Sequence, residues 1–279
     1  MVKKKAPAKK TASVRKPAKP ENPVPVSVSL EEFEKHVERI SAELRRTINE
    51  SFVAAQILAL GSDRVLEIAA QDHLFKFHVP HANRDIVQKR MVLQGQLPNA
   101  EGYDALALRL PRGGTFIDVG GYLGISASFF SKICDADKIH IFEPQKAVFE
   151  VLQRNLELNG VEGATIHQKA VLDDVAPVNP GVFRPSNFGN TPFLKHASGR
   201  YEGVSLDSMK FKAADVLHMD FAGPKLMAIK GAEKLIKKFK PFIILDKGGR
   251  DISEVIEFVL PLGYKHDQVA GLILFYPEA

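Results

Sequence analysis

The sequence predicts an α/β protein built on a mainly parallel sheet, and three observations carry that prediction. Short apolar runs alternate with helical patterns from Thr115 to Asp246, as expected for strands covered on both faces by crossover helices. One run, Thr115–Val119, turns through Gly120, Gly121 and Gly124 into a helical pattern over Ile125–Ile133, and the next run, Lys138–Phe142, ends at Glu143. The chain closes on residues 263–269 and an apolar run at 272–276, which read as a terminal antiparallel hairpin on the same sheet. The length of 279 residues, 45% hydrophobic and 25% charged, suits one such domain with appendages.

Residues 1–28 are a tail and linker dominated by Lys, Ala and Pro, a composition that cannot bury a core and is expected to be disordered. Residues 1–20 hold eight basic side chains and no acid, so of the net charge of +5 the rest of the chain carries −3. Such a tail is either a site of sequence-independent polyanion contact or a solubilising extension. No aromatics interleave with its charges, so nothing supports base reading. The start has no apolar signal-peptide core and no run approaches the roughly 18 apolar residues of a membrane span, which makes a cytoplasmic location the simplest reading. Cys134 is the single cysteine, which excludes an internal disulfide and a cysteine-based zinc cluster.

Residues 29–104 read as an N-terminal extension. Ser29 and Glu32 form a capping box, and Leu30, Phe33, Val37, Ile40, Leu44, Ile48 and Phe52 follow at spacings of three and four. That is an amphipathic helix to about Leu60, whose stripe would pack on the body or form a homodimer through residues 30–60. Residues 65–68 and 74–79 read as a β-hairpin around Gln71-Asp72, with Phe75 and Phe77 on one face. A helix over 84–93 and a loop over 95–103 lead to the main domain, 105–279. There, the helix at 145–159 stops at Gly160, and 164–171 reads as one strand. Residues 172–203, rich in Pro, Gly and Asn, show no period and read as a long functional cover or insert. A strand at 216–221, a helix at 224–239 begun by Pro224, a strand at 241–246 and a helix at 252–260 complete the alternation.

The glycine turn and the carboxylate after the second strand are the layout of a nucleoside crevice, in which Glu143 accepts ribose hydroxyls. Gly120, Gly121 and Gly124 let backbone approach the ligand, but their spacing is not the G-x-G-x-x-G of a dinucleotide site. Asp118 just before them would repel a pyrophosphate and could pair with the ammonium of a methionine moiety. S-adenosylmethionine is therefore the expected cofactor; the alternative is that Asp118 caps the turn. Tyr122 either stacks on the ligand or plugs the pocket. Methyl transfer is an in-line displacement, and a hydroxyl acceptor also needs a base. Asp220, at a strand end, is the first candidate, with an ammonium ligand or helix N-cap as its other readings, and Asp246 is the second, with a strand-end cap as its other. His218 faces the same side as Asp220 and reads as a core histidine ahead of a catalytic one. The remaining histidines lack ligand spacing, so no metal is expected.

Several ordered pieces resemble the FkbM-type family of S-adenosylmethionine-dependent methyltransferases over about residues 80–275. Asp118-Val-Gly-Gly-Tyr-Leu-Gly124 looks like that family's D-V-G-A-N-x-G, Phe142-Glu-Pro144 like its F-E-P, and Val204-Ser-Leu-Asp207 like its V-x-L-D. His218-Met-Asp-Phe-Ala-Gly223 is similar to K-I-D-V-E-G, and Gly263-Tyr264 fits the closing G-Y. The chain departs at Tyr122, where the family has asparagine, at Ala222 and Lys225, where it has acids, and at Asp246, where it has glutamate. The resemblance implies a Rossmann-like class I methyltransferase sheet and transfer of a methyl group to a hydroxyl of a sugar or small metabolite. Two other functions stand beside it: a methyltransferase-fold binding protein without turnover, suggested by Ala222 and Lys225, and a nicotinamide-dependent oxidoreductase, disfavoured by the glycine spacing and Asp118.

Overall fold

The computed structural model describes residues 29–278, so the expectation of a disordered basic tail falls outside the described residues. The chain divides into two compact units, one ending at Ile48 and one beginning at Asn49. The boundary runs through helix α1 (Leu30–Ala59). At its start the capping box forms: the Ser29 N–H donates to Glu32 Oε2 at 3.0 Å and the Glu32 N–H donates to Ser29 Oγ at 3.2 Å. Within the first unit the apolar stripe is solvent-exposed, from 46% at Val37 to 74% at Leu30. In the second unit the last turns of the same helix bury Val53 and Ile57.

The second unit opens with hairpin β1 (Val65–Ala70) and β2 (His73–His78). Gln71 and Asp72 both adopt positive φ, +50° and +59°, as a two-residue hairpin turn of the I′ type requires. Phe75 and Phe77 are fully buried on one face. Helices α2 (Ile86–Gln94) and α3 (Ala100–Ala107) follow, then β3 (Thr115–Val119), α4 (Ile125–Ile133), β4 (Lys138–Phe142), α5 (Lys146–Leu158) and β5 (Ala164–His167). Next come β6 (Lys169–Val171), β7 (Ala176–Pro180), β8 (Phe193–Lys195), β9 (Tyr201–Val204) and β10 (Val216–Met219). The chain ends with α6 (Lys225–Lys230), α7 (Glu233–Phe239), β11 (Phe242–Asp246), α8 (Ile252–Val259), β12 (Tyr264–Val269) and β13 (Leu272–Pro277).

Seven strands form the main sheet in the order β12-β13-β11-β10-β3-β4-β5. The five from β11 to β5 are parallel, and β13 runs antiparallel to both β11 and β12. This is a Rossmann-like sheet that ends in an antiparallel hairpin. Phe116, Ile117, Ile139, Ile141, Leu217 and Ile244 have no exposed surface, because helices cover both faces. Connections leave β3 toward β4 on one side and β10 toward β11 on the other, so the order reverses between β3 and β10. A crevice opens at such a reversal, beyond the strands' carboxyl ends.

Four expectations are corrected. Residues 95–103 are not all loop, since α3 begins at Ala100; Gly102 inside it hides the helical signal. The run 164–171 breaks at Gln168 into β5 of the main sheet and β6 of a second, four-stranded sheet. That sheet, β6-β9-β7-β8, also turns the supposed loop 172–203 into structure; its strands of three to five residues are too short to display a period. The helix expected over 224–239 breaks between α6 and α7 at Gly231, where a Cβ would lie 1.9 Å from the Leu172 carbonyl oxygen. The hairpin and α2–α3 belong to the same compact unit as the main sheet. Asn155 and Asn159 of α5 bind the edge of β2, accepting the N–H groups of His78 at 2.6 Å and Lys76 at 3.0 Å. Among the described residues no helix is long and apolar enough to cross a membrane.

Candidate functional site

A cavity of about 1070 Å³ opens at the carboxyl ends of β3, β4, β10 and β11, with the 181–194 segment on its far wall. Glu143 lines it and is only 4% exposed. Its Oε2 accepts the Tyr122 N–H at 3.0 Å and its Oε1 the Gln145 N–H at 2.8 Å. Burial dominates over those two bonds and pushes its pKa up to about 7. Each oxygen keeps a further lone pair for a ligand hydroxyl.

Four N–H groups of the glycine loop are turned inward. The N–H groups of Gly120 and Gly121 both donate to the Phe142 carbonyl, at 2.9 and 3.1 Å. The Tyr122 N–H is held by Glu143 and the Gly124 N–H by the Gly121 carbonyl at 2.6 Å. A pyrophosphate cradle needs such groups pointing outward, so these four offer none. Gly120 has φ +99°, and a Cβ there would lie 2.0 Å from the Asp220 carbonyl oxygen. This glycine lets the ends of β3 and β10 close on one another.

Tyr122 lines the cavity. A Cβ on Gly189 would lie 3.5 Å from the tyrosine ring, and the tyrosine hydroxyl lies 3.5 Å from Gln88 Nε2. Burial, with Asp85 nearby, raises the pKa of this hydroxyl. Asp85 caps α2 by accepting the Val87 and Gln88 N–H groups, and its other oxygen accepts the Phe188 N–H at 2.8 Å. The far wall is thereby pinned to the N-terminus of α2.

Asp118 lies elsewhere than a cofactor ligand requires. It is fully buried and has no surface on the cavity. Strands β3 and β10 are in register with Asp118 beside His218, and His218 Nδ1 sits 2.7 Å from Asp118 Oδ1. Ser126 Oγ donates to the other oxygen at 2.5 Å. The methionine-ammonium role expected of Asp118 is therefore corrected: both oxygens face side chains behind the cavity wall.

His218 is 3% exposed but does line the cavity. Burial works against its charged form. The Asp118 hydrogen bond and the charges of Asp118, Asp220 and Asp246 together outweigh that and hold the pKa above its ordinary value. Asp220 is open to the cavity yet surrounded by protein, so burial raises its pKa, with His218 and Lys225 opposing. Asp246 accepts the Gly248 N–H at 3.1 Å, as a strand-end cap does, and its Oδ2 is 3.8 Å from Lys225 Nζ. The Lys225 side chain is 3% exposed, with the Phe221 carbonyl at 3.4 Å as its closest acceptor. Tyr103 from α3 completes this end; burial, then Asp220 and Asp118, raise its pKa well above the ordinary value.

The structure thus brings Glu143, Tyr122, Gly120, Gly121, Asp220 and Asp246 to one cavity and leaves Asp118 and Gly124 off its lining. A Cβ on Gly124 would meet Leu152 at 3.0 Å, so this glycine serves helix packing. Sequence reasoning passed over Tyr103 and Ser126 and ranked His218 as core. The pairing of Asp118 with His218 emerges only from the register of β3 against β10.

No family model matches the chain, and no curated protein does. Among solved structures it is similar to the FkbM methyltransferase of Methylobacillus flagellatus KT, at 15% identity over 85% of this chain and TM-score 0.49. This chain spans 60% of the length of that protein. It is also similar to TYW2 of M. jannaschii, crystallised with AdoMet, at 12% identity over 77% of this chain and 84% of that one, TM-score 0.39. A SAM-dependent methyltransferase from Aquifex aeolicus is 16% identical over 63% of this chain and 87% of its own, TM-score 0.38.

Proposed function

We propose that the cavity holds S-adenosylmethionine and that the chain transfers its methyl group to a hydroxyl of a sugar or another small metabolite. The observation that carries this reading is Glu143, a carboxylate anchored by two backbone N–H groups at the end of β4 with lone pairs left over at a cavity wall. A cavity of about 1070 Å³ accommodates a nucleoside joined to an amino acid beside a small acceptor. The inward-turned N–H groups of Gly120, Gly121 and Tyr122 favour a ligand without phosphate at that point.

When bound, the cofactor supplies an electrophilic methyl group on a sulfonium. Glu143 accepts the ribose hydroxyls, and the Gly120–Gly121 backbone forms the floor. Asp220 faces the ammonium, because it is open to the cavity while Asp118 is committed to His218 and Ser126. The 181–194 wall, pinned through Asp85, keeps water from the reacting groups. Asp246 and Lys225 border the acceptor end. Buried Lys225 beside Ala222 also favours a second reading, a binding protein that retains the nucleoside crevice without turnover. The eight basic residues among 1–20 add charge-driven polyanion contact, lost from a heparin column when they are deleted.

Calorimetric titration of the full chain with S-adenosylhomocysteine, with NAD as control, tests the reading. Micromolar binding of the first alone is expected. Absence of binding, or binding of NAD instead, removes it. Methyl transfer to any member of a panel of hydroxyl acceptors then separates the enzyme from the binding protein.

A further inference from the structure

Resting on the methyl-transfer reading, the geometry points to His218 as the general base that takes the acceptor's proton, with Asp118 as its positioning residue. One ring nitrogen is spoken for: Nδ1 is 2.7 Å from Asp118 Oδ1. Asp118 is itself held, since Ser126 Oγ donates to Oδ2 at 2.5 Å, and it has no exposed surface. A carboxylate fixed in this way selects the imidazole form that carries its proton on Nδ1 and leaves Nε2 as a lone-pair acceptor. Nε2 has no hydrogen-bond partner among the described residues and is not sealed from the surface, and the ring lines the cavity. Phe130 meets the ring edge-on with centroids 5.5 Å apart, which fixes its plane.

The carboxylates expected to act as base are otherwise placed. Asp246 caps its strand end and stands 3.8 Å from the Lys225 ammonium. Asp220 is the acid left to meet a cationic ligand at the glycine loop. In the step itself the acceptor O–H bond breaks and its proton passes to Nε2. The oxygen's electron pair bonds to the donor methyl carbon as the carbon–sulfur bond breaks, and those electrons return to sulfur. The new imidazolium faces Asp118 from β3, with Asp220 and Asp246 beyond it. Lys225 of α6 and Tyr103 of α3 are the other titratable groups at this end.

Two measurements on the full wild-type chain test this without a known acceptor. Long-range proton–nitrogen NMR spectra, assigned with His218→Asn, are expected to show the neutral ring protonated at Nδ1. Acylation by diethyl pyrocarbonate, followed residue by residue by mass spectrometry, is expected to modify His218 in the folded protein, increasingly as pH rises and the ring loses its proton. Asp118→Asn should slow that modification at least tenfold. A ring protonated at Nε2, or a His218 that stays unmodified while exposed His73 reacts, overturns the proposal. If S-adenosylhomocysteine binds and His218 is inert, the base assignment falls and the methyl-transfer reading stands. If His218 reacts but S-adenosylhomocysteine does not bind, both fall.

Discussion

Glu143 and Asp118 look alike in the sequence: each is an acid at the end of an apolar strand beside the same glycine loop. Both are buried, at 4% and 0% exposure. What differs is what holds them. Glu143 is held by backbone N–H groups, which fix its position and still leave it facing a cavity. Asp118 is held by side chains, Ser126 and His218, and faces protein on all sides. The first arrangement leaves acceptor capacity for a ligand, and the second transmits orientation to the histidine that reaches the cavity. A carboxylate's partners, more than its burial, decide whether it binds or positions.

The largest effect expected from breaking this contrast is on stability. Asp118→Ala leaves His218 buried beside an empty space and should cost about 3–5 kcal/mol of folding free energy, the usual range for halving a buried pair. Denaturant unfolding measures it; a loss below about 1 kcal/mol would show that the pair is not formed. The next effect is on binding. Glu143→Gln keeps the shape but replaces a charged acceptor, so S-adenosylhomocysteine affinity should drop at least tenfold, about 1.4 kcal/mol. If Asp118→Ala folds and weakens that affinity more than Glu143→Gln does, the two roles are reversed.

The smallest effect is the pH dependence of the same binding. With a folded pKa of about 7, Glu143 accepts hydroxyls best once ionised. Affinity should therefore rise about fourfold between pH 6.5 and pH 8, a change that Glu143→Gln abolishes. The stability sign is opposite. A carboxyl raised above its ordinary 4.5 favours the folded state when protonated, so its contribution declines as pH climbs from 4.5 through about 7. Calorimetry across this range, with unfolding curves in parallel, reads both.

The sheet was legible because its strands are short continuous apolar runs, and Thr115–Val119, Lys138–Phe142 and Phe242–Asp246 needed only local pattern. The place of Glu143 at the cavity was legible too, since it follows from the end of a strand beside the glycine turn. The split of 164–171 was not: β propensity continues through Gln168, and only the change of partner strand divides β5 from β6. Nor was the break at Gly231, which depends on a carbonyl at Leu172 some sixty residues earlier. The pairing of Asp118 with His218 depends on register between strands 100 residues apart. Periodicity reports which face a residue takes, and register reports whom it meets there.

The inward-turned donors of the glycine loop bear on what the protein ignores. Phe142 and Glu143 already satisfy the N–H groups of residues 120–122, so those three groups offer a phosphate nothing to grip. Adenine nucleotides and dinucleotides share an adenosine with the proposed ligand. In the proposed reading the sugar is recognised at Glu143 while these three groups give a phosphate no hold, which works against such competitors. Selectivity of this kind is achieved by backbone already spoken for, and no side chain has to repel the competitors.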